Sequence, residues 1–161
     1  MSATGLEVFD KTLQTTNIWL DEIMGELGPD RQVAWHVLGA VLRTLRDRVP
    51  LGLAAHLGSQ LPILVRGAYY DQWLPRDKPL ELRSLDEFLQ HVSQGLANIR
   101  PVNVRTAVHA VFATIGRHVD PGQVRKIRDA LPKEVKAFWP DAAATSEPEA
   151  PAPARAAAGG R

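Results

Sequence analysis

The chain has 161 residues and no cysteine, and 19 Lys and Arg against 18 Asp and Glu leave a formal charge of +1. Disulfide frameworks, cysteine-based zinc sites and thiol nucleophiles are thereby excluded, and so balanced a charge argues against a polyanion-seeking surface. The cleanest apolar runs, Val37–Leu42 and Leu61–Val65, fall far short of the roughly 18 residues that a membrane helix requires.

Helical periodicity dominates from the start. Leu6, Phe9, Leu13, Leu20, Ile23 and Leu27 recur at three- and four-residue steps with Thr16 in the stripe, and Gly28-Pro29 ends that helix. Glu7, Asp10 and Lys11 interrupt the stretch where a signal peptide would need an unbroken apolar run, so a cytoplasmic protein is expected. Asp30 is placed to cap a second helix with the face Val33, Val37, Leu38, Val41, Leu45 and Val49, which Pro50 stops. A short helix follows through Leu53, Ala54 and Leu57. Pro62 then suits the first position of a helix over Leu61 to Tyr70.

The segment Leu74–Leu82 carries Pro75 and Pro79 and reads as a loop. Ser84 and Glu87 form a capping-box pair ahead of Leu85, Phe88, Leu89, Val92 and Leu96. Asn103 is placed to cap a helix bearing Val104, Ala107, Val108, Val111, Phe112 and Ile115. Asp120-Pro121 starts the next, and Leu131-Pro132 opens the last. No segment reads as a strand, so the class is all-α. Beyond residue 140 the chain is mostly Ala, Pro and Gly with no apolar period, and 141–161 is expected to be a disordered tail.

The chain also overlays itself. Shifted by 70 residues, 34–69 matches 104–139 with identities at Ala40/Ala110, Val41/Val111, Thr44/Thr114, Val49/Val119, Gly52/Gly122, Leu61/Leu131, Pro62/Pro132 and Val65/Val135. A shift of 69 adds Trp19/Phe88, Leu20/Leu89, Ile23/Val92 and Leu27/Leu96. The expectation is one domain, 1–140, made of two pseudo-symmetric four-helix repeats over about 6–73 and about 84–140. Positions alike in both copies are explained by packing. Polar residues present in one copy only are the better functional candidates: Arg43, Arg46, Asp47, Arg48, His56, Gln60, Arg66, and the run Tyr69-Tyr70-Asp71-Gln72-Trp73.

The strings Leu42-Arg43-Thr44-Leu45-Arg46-Asp47-Arg48-Val49 and Gln60 through Trp73 resemble a bacterial and archaeal family, domain of unknown function 2267. Trp19-Leu20, Leu131-Pro132 and Phe138-Trp139-Pro140 fit its pattern as well. The resemblance covers about residues 5–140. Gln72 stands where the family pattern usually has Gly. The resemblance implies a compact all-helical domain, and it carries over no activity and no catalytic residue.

Catalytic chemistry is poorly supplied. The five histidines, His36, His56, His91, His109 and His118, nowhere stand three or four residues apart, and no HExxH occurs. His91 follows Glu87 by four residues, which is a weak pair. No serine sits in a nucleophile elbow, and Gly52 and Gly122 are turn residues. No metal, cofactor or catalytic residue is therefore expected.

The candidate ligand- or partner-binding residues are Arg43, Arg46, Asp47, Gln60, Arg66, Tyr69, Tyr70, Asp71 and Trp73. Against a binding role, Arg43, Arg46 and Asp47 suit a charged end of the second helix, with Asp47 bonding an Arg locally. The aromatic run suits a hinge between repeats. The reading is a non-catalytic helical module binding a protein or small ligand in a regulatory or stress setting. Its rival is an enzyme or ligand-handling domain using a cleft between the repeats, with Arg46, Arg66, Tyr70 and Asp71 converging there as its polar groups. Weak nucleic-acid binding through Arg125, Lys126 and Arg128 is disfavoured by interspersed acids. A homo-oligomer stays open.

Overall fold

The computed structural model describes residues 3–141, so the expected tail beyond Asp141 lies outside the described residues. Within them the chain forms α1 (Glu7–Leu27), α2 (Arg31–Arg48), α3 (Leu51–Ser59), α4 (Ile63–Tyr70), α5 (Leu85–Gln94), α6 (Val104–His118), α7 (Pro121–Ala130) and α8 (Lys133–Phe138). Among the described residues there is no strand. None of these helices is long and apolar enough to cross a membrane.

The helix starts follow the capping signals. Asp30, Ser84, Asn103 and Asp120 each accept a hydrogen bond at 3.1 Å from the backbone N–H three residues on, satisfying a donor that the first turn cannot. The capping box is shifted on its return side, because Glu87 accepts from the backbone N–H of Arg83 at 2.9 Å. Pro62 and Pro132 stand at the N-caps of α4 and α8, one residue before the position expected for Pro62. Their backbones are nearly superimposable, with φ and ψ of −53° and 149° against −54° and 149°. Val49 and Val119 end α2 and α6 in the same way, each N–H returning to the carbonyl four residues back. Thr44 and Thr114 likewise donate to Ala40 O and Ala110 O, both at 2.9 Å.

α2 and α6 pack against each other at the centre. α1 lies along α2, α4 and α6, while α5 lies along α2, α6 and α8. α1 and α5 therefore each contact both central helices. The core they enclose includes Trp19, Ile23, Val41, Leu45, Phe88, Phe112, Ile115 and Trp139, all almost fully buried. Phe112 stacks on Trp139 with ring centroids 4.1 Å apart and also meets Phe88 at 5.9 Å.

The first turns of α1 depart from expectation. Leu6, Phe9 and Leu13 fit the helical stripe, yet they are about half exposed, and so is Val8. The cause is length. α1 has 21 residues and α5 has ten, so the start of α1 overhangs the helices it packs on. α4 meets it there, where Leu64 N donates to Thr12 Oγ1 at 3.2 Å.

Candidate functional site

Three of the candidate arginines work on helix ends. Arg46 is buried near the end of α2, at 4% exposure. Its Nε and Nη2 donate to the two carboxylate oxygens of Asp47, while Nη1 reaches Tyr69 O at 2.8 Å and Asp71 O at 2.9 Å. Those carbonyls belong to the exposed end of α4, which lacks intrahelical partners. Arg43 donates from Nη1 to Ala68 O in the same turn at 3.2 Å. Arg66 binds the end of α3, from Nε to Gly58 O and from Nη2 to Ser59 O and Leu61 O. Gly39, Arg46 and Asp47 are buried, so the charged end of α2 is turned inward there.

The aromatic run packs in the same sense. Tyr69 is buried and donates its hydroxyl to Ala54 O at 2.5 Å, and burial pushes its phenol up in pKa. Tyr70 donates to Ala55 O, and its ring lies 5.0 Å from Tyr69 and 5.4 Å from Trp73. Gln60 accepts from Asp120 N at 2.9 Å, so it serves the start of α7 rather than the end of its own helix.

Arg46, Arg66 and Tyr70 do not converge. Arg46 and Asp71 border one cleft, Gln60 and Arg66 another, and Tyr70 lines neither. The first is an open groove of about 610 Å³ between α2 and α5, closed at one end by Asp71 and Gln72. His36, Arg43 and Asp47 line one wall, and His91 and Gln94 the other.

Two groups in this groove are held in defined states. The Thr44 hydroxyl proton is committed to Ala40 O, as it is at Thr114. The 3.1 Å contact between Thr44 Oγ1 and His91 Nδ1 is then a bond donated by His91. In the neutral ring this places the proton on Nδ1 and leaves the Nε2 lone pair unused. Burial holds the imidazole below its usual pKa, assisted by Lys78 and Arg46 and opposed by Asp47.

Arg43 is the second. A Cβ on Gly39 would lie 2.7 Å from Arg43 Nη1, so the side chain occupies the space that glycine leaves. Burial and then Arg46 lower the pKa of this guanidinium, with Asp71 and Asp47 acting against them. Ala68 O is its one hydrogen-bond partner among the described residues.

The positions one repeat away are filled differently. Seventy residues on from Gly39, Asp47 and Arg48 stand His109, Arg117 and His118, and sixty-nine back from His91 and Gly95 stand Glu22 and Glu26. Those residues close the α1–α6 seam: Arg117 forms an ion pair with Glu22 at 3.0 Å, and His118 and His109 share hydrogen bonds with Glu22 and Glu26, each at 2.9 Å. At α2–α5 the corresponding positions are two glycines, Asp47 and Arg48 facing a histidine, and the seam is open.

Of the residues at this groove, the sequence candidates include Arg43, Arg46, Asp47 and Asp71 but neither His91 nor the Gly39 that makes room for Arg43. The signal for them was the pairing of His91 with Glu22 and of Gly39 with His109 across the repeat.

Eight helices around one apolar centre define a small all-α domain, and the described residues hold no cluster of three His, Asp or Glu fit for a metal ion. Within that class the chain belongs to the family described as uncharacterized conserved protein (DUF2267), whose profile matches residues 16–138. The match begins at Thr16, past the overhanging turns of α1. A search of curated proteins gives no match.

Proposed function

We propose that the chain is a non-catalytic cytoplasmic binding module built from two repeats, and that it seats a small polar ligand in the α2–α5 groove. The observation that carries this reading is the contrast between two corresponding seams, one closed by Glu22 and Glu26 bonded to the facing Arg117, His118 and His109, and the other left open. Supporting it, Arg43 is a half-buried cation next to a second arginine, and a bound carboxylate or phosphate would offset both its desolvation and that repulsion. The match of contacts under exchange of α1 with α5 and α2 with α6 supports the two-repeat organisation. A regulatory or stress setting is the role that suits a module of this kind.

A thermal-shift screen with small anions and polar metabolites tests it. One compound should raise the melting temperature clearly, and the shift should vanish in Arg43→Ala. Gly39→Ala is the sharper variant. It displaces the guanidinium from its seat while replacing a helix-interior glycine, which favours the helix by up to about 1 kcal/mol. Its stability should hold while ligand response is lost. A flat screen on the intact chain sinks the proposal.

One observation favours a catalytic reading. His91 Nε2 has no partner among the described residues, and burial favours the neutral ring, whose free lone pair can accept a proton. Turnover of a substrate that His91→Ala abolishes would establish that reading in place of the first.

A further inference from the structure

The second cleft shares no lining residue with the α2–α5 groove and lies between the overhang of α1 and the turn joining α3 to α4. It measures about 460 Å³. Its lining divides by chemistry. Val8, Leu61, Pro62 and Ile63 form an apolar part, while Lys11, Thr12, Thr15, Ser59 and Arg66 form a polar part. Lys11 and Arg66 are its permanent cations, His118 beside them spends Nε2 on Glu22 at 2.9 Å, and among the described residues no carboxylate lines it.

Both cations have donors to spare. Arg66 spends Nε and Nη2 on the end of α3, and its Nη1 has no partner among the described residues. Lys11 enters no ion pair there. Trp19 also borders the cleft. It is 1% exposed and stacked on His118 with centroids 5.2 Å apart. Its indole Nε1–H is buried with no hydrogen-bond partner. A buried donor in that condition is a standing cost to the folded state. The start of α4, at Ile63, adds the positive end of a helix dipole to the same rim.

We infer that this cleft binds a small organic anion: a carboxylate or phosphate head held by Lys11 and Arg66, with an apolar body against Val8, Leu61 and Ile63. The site is separate from the α2–α5 groove and stands whether or not that groove binds anything. The apolar wall distinguishes the ligand from inorganic phosphate, and the cations distinguish it from a neutral lipid or an amine.

The test uses the full chain with four probes: hexanoate, hexyl phosphate, hexanol and hexylamine. Binding is read by calorimetry and by the indole N–H resonances in a ¹H–¹⁵N spectrum, with the Trp19 signal assigned through Trp19→Phe, the residue found at Phe88. Hexanoate and hexyl phosphate should bind and shift the Trp19 signal. The other two should bind at least tenfold more weakly. Lys11→Glu, an exposed substitution, should weaken the anions at least tenfold without altering the fold. Arg66→Ala loosens the end of α3, so Arg66→Gln serves beside it. Equal binding of all four probes, binding indifferent to Lys11→Glu, or no binding of either anion to the intact chain would each overturn the inference.

Discussion

At the scale of single residues, the polar interior is held by arginines that reach carbonyls far off in sequence. Arg46 spends its donors on Asp47 and on two carbonyls at the end of α4. Removing either member of such a buried pair strands the other, a loss of about 3–5 kcal/mol. Arg46→Ala should therefore cost that much in chemical denaturation, and adding Asp47→Ala should cost much less than a second such loss. Gln72 is a different case. Its φ is +56°, a left-handed conformation that glycine takes without strain. That accounts for the glycine usual in the family pattern at this position. Gln72→Gly should leave the protein as stable or raise it by up to about 1 kcal/mol, read from the denaturation midpoint.

His91 makes a prediction about pH. Its folded pKa lies below the unfolded value near 6.5, so under mildly acid conditions the unfolded chain binds the proton more readily. Its contribution is complete above about 6.5, is lost progressively as pH falls below that value, and levels off beneath the folded pKa. Denaturation midpoints at about pH 5 and about pH 7.5 should differ in that sense. His91→Asn, which can still donate to Thr44, should reduce the difference.

At the scale of elements, most of the chain was legible. Cap residues fall at Asp30, Ser84, Asn103 and Asp120, and the stripes of α2 and α6 are buried as their spacing requires. The failures have one physical origin. Periodicity says which residues share a face but not whether anything covers it, and the start of α1 outruns its cover. It says equally little about long cations, because whether Arg46 meets water or a carbonyl depends on where α4 ends, over twenty residues away. Ile23→Ala and Phe9→Ala separate the two ends of α1. The first empties a fully buried site and should cost about 2–5 kcal/mol, while the second should stay near 0.5 kcal/mol or below. Equal losses would mean that the overhang is covered in solution.

At the scale of the molecule, helices α2 and α6 form the shared centre, and every other large helix leans on one or both. Hydrogen exchange should be slowest in these two and fastest in the Leu74–Leu82 segment, where the helical hydrogen-bond ladder is absent. The open α2–α5 cleft and the closed α1–α6 seam are then local variations around the same α2–α6 centre. The binding candidates were legible only in part, since a repeat reveals where its copies differ but not which differences leave space.

The way α1 lies on α6 while α5 lies on α2 has a consequence for chain continuity. The exposed Arg76–Asp77 bond sits in the only long link between the halves, and Leu80 N and Leu82 O on its far side are pinned to α2, through Asp47 O at 2.7 Å and Arg48 Nε at 2.8 Å. Cutting that bond removes a tether without removing an interface. The pieces 1–76 and 77–161 should stay together as a non-covalent pair, and the nicked protein should acquire a melting temperature that rises with its own concentration. The gene could be divided at this point and its product reassembled from two separate messages.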